Sequence, residues 1–435
     1  MTGINTPPVR TATFNAVCTD CSRDLGDRFT PFCPSCGGIA DISYDLERVV
    51  LRDSSNPYVR FIDLLPVRDA GRLPRDASVT PTVHATALGA HLGLTALYLK
   101  DETGLPTGTT KDRMAAVALP YLYERGVRRF TTSSTGNSST AYGQAIHRVP
   151  ELEMYVFTAQ TFRPRLALPA SDQVVDVVVE DASFVEAFDL AGTVAAAHGL
   201  ASERGFFNPG RREGLKLAWL EAAEQVPGEI DWYVQAVSSA MGVYGVYKAA
   251  GERVALGLAE RVPRLMCVQQ ESCAPMVAAW RAGSETIRPA DVVPRPAGVA
   301  EAILRGNPTR VYPHVRRIVA DSGGTFEAVT EAEIRAAHAL IRELEGIPAG
   351  FEAAAAVAGL MRQCQAGVVQ RDETVLVNLT GADRPRVDPG RDACSRVVVS
   401  RSADGWELGQ LERTLRTRRP PADRRTPPPP PAARG

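Results

Sequence analysis

The chain shows no excess of charge of either sign: 49 Lys and Arg stand against 50 Asp and Glu, for a formal net charge of −1. With no basic excess there is no nucleic-acid footprint and no pull toward an anionic membrane. Long apolar runs are missing too. No stretch of eighteen or more apolar residues occurs, and Met1–Arg10 has no signal-peptide apolar region, so a soluble, cytoplasmic protein is expected. Cysteine is scarce, with eight in 435 residues, and four of these fall in two close pairs. That usage does not suit a secreted disulfide framework and points to metal binding. What the chain does have is length, enough for two or three domains and a substantial core.

The paired cysteines are Cys18-Thr-Asp-Cys21 and Cys33-Pro-Ser-Cys36-Gly-Gly. Each pair can form a tight knuckle presenting two thiolates, and two knuckles give a tetrahedral all-cysteine zinc site. Gly37-Gly38 suits the turn that lets backbone N–H groups face sulfur. A knuckle-like turn without metal is the alternative. A redox role fits less well, because no βαβ pattern surrounds either pair. With cysteine at all four positions, a structural zinc is expected and a catalytic zinc-bound water is not.

From residue 45 onward, strand and helix patterns alternate. Arg129–Ser133, Glu153–Phe157 and Val174–Val179 read as strands, and the last is nearly all apolar, as in a strand covered on both faces. Trp232–Val237, Arg264–Gln269, Thr325–Val329 and Thr374–Leu379 read likewise, and Ile318–Ala320 as a further strand or edge piece. Met114–Arg125, Thr140–His147, Ser183–His198, Val243–Gly257, Glu331–Glu345 and Phe351–Gln365 read as helices. This predicts parallel sheets in an α/β layer arrangement. The pattern fades after residue 385, leaving one edge strand at Val397–Ser400 and one helix at Glu407–Arg416. The Pro- and Arg-rich stretch from Arg418 to Pro431 cannot bury enough apolar surface to order itself.

Four loops carry the chemistry. Glu102-Thr-Gly-Leu-Pro-Thr-Gly-Thr-Thr-Lys-Asp-Arg113 joins a strand to a helix and displays Lys111 at the junction. Partial burial near a helix N-terminus would lower the lysine's pKa and favour the neutral amine that forms Schiff bases. Asp112 is placed to cap the helix. The plain alternative is a surface lysine beside an ordinary turn. Ser134-Thr-Gly-Asn-Ser138 follows a strand and can receive a carboxylate at a helix N-terminus, or simply cap it. Ser238-Ser-Ala-Met-Gly242 stands in the same setting, where backbone N–H groups can cradle a phosphate or form a plain βα loop. Thr380 closes the strand in Asn378-Leu-Thr-Gly381, a position where threonine is commonly structural.

Pro106-Thr-Gly-Thr-Thr-Lys-Asp-Arg113 resembles the lysine motif Pro-Thr-Gly-Ser-Phe-Lys-Asp-Arg of the threonine synthase family, fold-type II pyridoxal-phosphate (PLP) enzymes with cysteate synthase as a close relative. The resemblance runs from the N-terminal cysteines to about residue 385. It implies a two-domain fold-type II α/β enzyme, tryptophan synthase β-like, with a zinc-ribbon-like segment over 1–44 and a catalytic region over 45–385. The smaller domain would lie at about 114–225, and 386–435 would be an extension. It implies that Lys111 holds PLP and moves the substrate α-proton. Asn137 would meet the PLP 3′-oxygen, and Ser134, Thr135, Gly136 and Ser138 would clamp the substrate carboxylate. Ser238, Ser239, Ala240, Met241 and Gly242 would hold the cofactor phosphate, and Thr380 the pyridine nitrogen. Cys18, Cys21, Cys33 and Cys36 would bind zinc, and several relatives carry a similar N-terminal cysteine segment. A homodimer is expected from the resemblance alone.

Three stretches depart from the family's pattern: Leu105 replaces Asn, Thr109-Thr110 replaces Ser-Phe, and Ala240, Met241 and Val243 replace some of the usual glycines. A pocket tuned to O-phosphohomoserine is therefore not assured. The leading expectation is a PLP-dependent synthase or lyase acting on an O-phosphorylated amino acid, threonine synthase-like. Cysteate synthase-like or specialised β-replacement on O-phosphoserine is the alternative. A non-catalytic zinc-ribbon binding protein on the same scaffold is the reading from another class. Retention of Lys111, Asn137 and Thr380 together speaks against it.

Overall fold

The computed structural model describes residues 10–388, 394–403 and 405–418. The Pro-rich tail lies outside them. In chain order the main strands are β1 (Phe14–Cys18), β2 (Ala40–Tyr44), β3 (Thr82–His84), β4 (Ala96–Asp101), β5 (Arg129–Ser133), β6 (Glu153–Ala159), β7 (Val174–Val179), β8 (Ala201–Ser202), β9 (Trp232–Ala236), β10 (Arg264–Gln270), β11 (Thr325–Val329), β12 (Thr374–Leu379) and β13 (Ser395–Val399). The larger sheet is ordered β11-β10-β9-β12-β4-β3, parallel except for antiparallel β3 at its edge. The smaller is ordered β13-β7-β6-β5-β8 and parallel throughout. No helix among the described residues is long and apolar enough to cross a membrane.

The strands follow from their side chains. All six residues of β7 are buried, as expected for a parallel strand with both faces covered. Its one charge, Asp176, accepts hydrogen bonds from Arg163 and Arg396, each at 2.8 Å, so the carboxylate is not left bare in an apolar setting. In β9 the period of two splits the core. Trp232, Val234 and Ala236 face one apolar cluster, and Tyr233 faces another on the opposite side of the sheet. The helix Phe351–Gln365 is Ala-rich because it lies close on this sheet. A Cβ on Gly359 would come within 2.5 Å of Val268 Cγ2, so a larger residue would force the helix away.

The expected strand piece at Ile318–Ala320 is instead the last part of a helix, Tyr312–Asp321. A three-residue apolar run carries too little period to separate strand from helix. Over the longer window Tyr312, Val315, Ile318 and Val319 are the buried positions, and this is helical spacing. At the C-terminal end both expected elements form. β13 pairs with β7 at the sheet edge, and the helix Gly409–Thr417 buries Leu411 and Leu415 in the same cluster.

β1 and β2 form an antiparallel pair at the N-terminus. β2 is joined to the core by charge. Asp41 lies 3.2 Å from Lys248 and 3.4 Å from Arg212, and Tyr44 donates to Glu213 at 2.6 Å. Lys216 completes the group, 2.6 Å from Glu213 and 2.8 Å from Glu252. Three carboxylates and three cations therefore balance, mostly away from water.

Candidate active site

The C-terminal ends of β4, β5, β9 and β12 open on one crevice, the usual place for a ligand in open parallel sheets. Lys111, Ser134, Thr135, Asn137, Ser138, Ser238, Ser239, Ala240, Met241, Gly242 and Thr380 all line it. Gly136 does not. It stands behind its loop at φ +128°, where a Cβ would come 2.8 Å from Arg165 Cβ.

Lys111 opens the helix Lys111–Glu124. Its loop is pinned from both sides: Thr110 N donates to Thr380 O at 2.9 Å, and Ala382 N to Gly108 O at 2.9 Å. Asp112 does not cap the helix. Its carboxylate turns back to accept from Thr107 N at 2.7 Å and Thr107 Oγ1 at 2.8 Å, closing the loop ahead of the lysine. Burial raises its pKa to about 6 against the opposing pull of those hydrogen bonds. The Lys111 amine faces the crevice with no hydrogen bond or ion pair to any described residue. Dehydration, helped by the nearby Arg211 guanidinium, lowers its pKa to about 8.

Two residues further along the helix the same charge meets the opposite setting. Arg113 donates to Glu102 at 2.6 and 2.9 Å, to Glu221 at 2.7 Å from each of two nitrogens, and to Thr80 Oγ1 at 2.9 Å. Lys100 joins at 2.8 Å from Glu221. All four charged side chains are almost wholly buried. Burial works against the Arg113 cation, but the two carboxylates outweigh it and raise its pKa.

The two candidate anion sites have ordinary βα geometry with specific anchors. Ser134 is not free for a ligand, because its hydroxyl accepts from Gly136 N at 3.2 Å and Ser139 N at 3.1 Å and shapes the loop. Neither helix start here, Asn137–Ala145 or Met241–Ala255, carries a side-chain cap, so their first amides remain available to an anion. Ala240 has φ +54°, a left-handed conformation that glycine normally takes. The alanine therefore replaces a usual glycine in the sequence without changing the turn. Gly242 must stay small, since a Cβ there would come 2.9 Å from Gln235 Nε2. Asn137 Oδ1 accepts from Arg384 at 2.5 Å, which leaves its NH2 group to face the crevice.

Among the charged residues of this crevice, sequence reasoning missed Arg211, Arg305 and Glu352, the last paired with Arg165 at 3.1 Å. Arg211 stands in the helix Pro209–Leu215, which Asn208 caps through Gly210 N at 3.0 Å. Among the described residues its close counter-ion is Glu203 at 3.3 Å. Arg305 makes no side-chain hydrogen bond or ion pair with any described residue. Burial and then Arg211 lower its pKa to about 10. Asn208-Pro209 did mark a helix start, and with it the place of Arg211. Nothing in Leu304-Arg-Gly-Asn307 signalled Arg305. Thr110 Oγ1 and Ser133 Oγ are buried here without a partner as well. Three cations, set against Glu203 and Glu352, and two orphaned hydroxyls facing one crevice suit an anionic ligand.

The four N-terminal cysteines lie elsewhere, in the β1–β2 segment. Their sulfurs sit within 4.8 Å of one another, with Cys18–Cys36 at 3.4 Å and Cys21–Cys33 at 3.7 Å. A tetrahedral zinc with Zn–S near 2.3 Å needs edges of about 3.8 Å, so the set fits. Asp20 N and Ser35 N each donate to sulfur at 3.4 Å, as expected in knuckles. Gly38 is required beside Cys18, whose sulfur would be 2.7 Å from a Cβ there.

Residues 74–381 match the family described as "Pyridoxal-phosphate dependent enzyme". Threonine synthase of Methanosarcina acetivorans is 30% identical over 388 residues, covering 85% of this chain and 91% of that protein. Cysteate synthase of Methanospirillum hungatei is 27% identical over 401 residues, covering 88% and 93%. Among solved structures, maize serine racemase superposes with a TM-score of 0.57 at 18% identity, over 72% of this chain and 89% of that one. That likeness speaks for the fold.

Proposed function

This chain belongs to the pyridoxal-phosphate dependent enzymes, and on that premise we propose that it eliminates phosphate from an O-phosphorylated amino acid and then adds a nucleophile to the carbon chain that remains, at Cβ in the threonine synthase-like case. The donor chemistry is threonine synthase-like, with cysteate synthase-like replacement on O-phosphoserine sharing it and differing in donor length and acceptor. One observation carries the reading: the unpaired cations Lys111 and Arg305, with Arg211 beside them, line the same crevice as two uncapped helix starts.

The residues present fit the cofactor. Lys111 offers a free amine, Ser239 and the amides of the Met241 helix a phosphate seat, Thr380 a neutral hydroxyl, and Asn137 an NH2 held in place by Arg384. When bound, PLP supplies the electron sink that makes an amino-acid Cα–H bond labile. Each side chain then has a task of its own. Lys111 Nζ takes the α-proton and returns it, which its lowered pKa allows near neutral pH. Thr135, Ser138 and the amides of the Asn137 helix hold the substrate carboxylate. Arg211 and Arg305 hold the donor phosphate and stabilise the charge it gathers on leaving.

The test is an absorbance spectrum of the purified protein before and after adding O-phosphohomoserine or O-phosphoserine, with phosphate release followed in parallel. A visible cofactor band that shifts with one donor, with phosphate liberated, supports the reading and selects the donor. A band that neither donor moves overturns the phosphorylated-donor assignment.

A further inference from the structure

Arg211 and Arg305 repel each other in the crevice. After burial, the Arg211 charge is what lowers the Arg305 pKa to about 10. Glu203 offsets part of the Arg211 charge at 3.3 Å, and Arg305 has no such partner among the described residues. Like charges kept side by side before an anion arrives must be held there by the surrounding fold. Their support comes from outside the crevice, from the N-terminal cysteine segment.

The segment reaches the Arg211 side through β2. Arg212, the next residue along the helix Pro209–Leu215, donates to Ala40 O and lies 3.4 Å from Asp41. It also donates to Phe206 O at 2.6 Å, which ties the turn Gly205–Phe207 to the same helix. Phe207 of that turn meets Phe32, with ring centroids 4.8 Å apart. The segment reaches the Arg305 side through the same ring. Arg310 lies over both aromatics, 4.9 Å from the Phe32 centroid and 5.2 Å from that of Phe207. Arg310 ends the short loop that Arg305 begins. Between them Asn307 Oδ1 accepts from Thr309 N at 3.2 Å and Thr309 Oγ1 at 2.6 Å, and Val311 N donates to Pro308 O at 2.8 Å, so the loop has little slack.

Phe32 is fixed in turn by the cysteine knuckle it precedes. It pairs with Ile39 across an isolated bridge, Cys33 N donates to Gly38 O at 2.7 Å, and Ala40 N donates to Pro31 O at 3.1 Å. Ile39 is buried in the apolar cluster that holds Phe206 and Phe207, and Phe32 packs against it. One ring of the cysteine segment therefore touches the supports of both crevice arginines.

We infer that Phe32 and Arg310 are positioning residues, through which the cysteine segment braces Arg211 and Arg305 at the spacing that receives the donor phosphate. This rests on the phosphorylated-donor reading above.

The experiment measures calorimetric binding of inorganic phosphate to the holoenzyme, together with donor KM and kcat, the cofactor band and the bound metal. The variants are Phe32→Ala, Phe32→Tyr, Arg310→Gln and Arg305→Met. Phe32→Ala should weaken phosphate binding about tenfold or more and raise donor KM in step, with kcat, cofactor band and metal content nearly unmoved. Phe32→Tyr keeps the ring and should restore both values. Arg310 is exposed, so Arg310→Gln leaves the fold intact and should weaken phosphate about two- to fivefold. Phosphate affinity unchanged in Phe32→Ala and Arg310→Gln but lost in Arg305→Met overturns the brace and leaves the donor reading intact. A joint fall of kcat, cofactor band, metal and affinity in Phe32→Ala, with Arg310→Gln silent, shows a ring that only stabilises the fold and overturns the inference as well. Phosphate bound by Arg305→Met as tightly as by the unaltered protein overturns the donor reading, and this inference with it.

Discussion

Lys111 and Arg113 are two residues apart on one helix, which turns their side chains about 200° from each other. Arg113 points into the protein and meets two carboxylates, with Lys100 making the sum even: two positive charges against Glu102 and Glu221. Lys111 points into the crevice and meets only another cation. Burial penalises both. Where partners are present the charge is retained and the region becomes rigid. Where they are withheld the charge becomes labile and the space ready for an anion. Stability and reactivity are thus separated by a half-turn of helix, and the one lysine that must react is the one given no partner.

The contrast breaks most visibly at its reactive side. Lys111→Ala should remove the bound-cofactor absorbance and lower turnover by a factor on the order of 10³ or more, while leaving the thermal midpoint nearly unmoved. Retained turnover in that variant would sink the site. At the paired side, Glu221→Gln leaves two buried cations facing one carboxylate. It should cost about 3–5 kcal/mol in denaturant unfolding, and a loss below about 1 kcal/mol would mean that water reaches the network. The two variants should therefore fail in opposite assays. A pH series sharpens the comparison. With the Lys111 pKa at about 8, PLP capture by the apo-protein should accelerate about tenfold per unit below that pH and level off above it. Because the native pKa lies below the unfolded value of 10.5, the group's contribution makes stability rise with pH between about 8 and 10.5. A capture midpoint near 10.5 would show an ordinary, hydrated lysine. The smallest effect concerns Ala240. Ala240→Gly relieves a left-handed alanine but loosens the unfolded chain, so stability should change by no more than about 1 kcal/mol. A larger loss on calorimetry would mean that the Ala240 methyl is needed in the core it borders.

Much of this was legible in the sequence. β7 declared itself through a β-branched run broken only by Asp176, and three of the four strand-end loops through their place before helices. The cysteine spacing gave the knuckles, and the structure brings the sulfurs together. What was not legible depended on how the backbone turns, locally or across the fold. Asp112 looks like a helix cap until Thr107 is seen folded back above it. Ile318 reads as a strand until the turn at Tyr312 and Val315 is counted with it. Ala240 looks like a departure from a glycine-rich loop, yet its backbone adopts the glycine conformation. Arg305 carries no local signal, since only the absence of a partner among the described residues marks it out.

The ion group that holds β2 has a consequence for how the chain is made. Asp41 and Tyr44 leave the ribosome long before their partners: Tyr44 and Glu213 are 169 residues apart, and Ile42 and Lys248 206. At common synthesis rates of about 5–20 residues per second, the N-terminal segment waits on the order of ten seconds or more for the charges it must neutralise. A metal held by Cys18, Cys21, Cys33 and Cys36 would give that segment a fold of its own during the wait, since sites of this kind can drive folding by themselves. On this view the cysteine cluster serves as a timing device for assembly, keeping the first-made piece in shape until the mid-chain helices arrive to receive it.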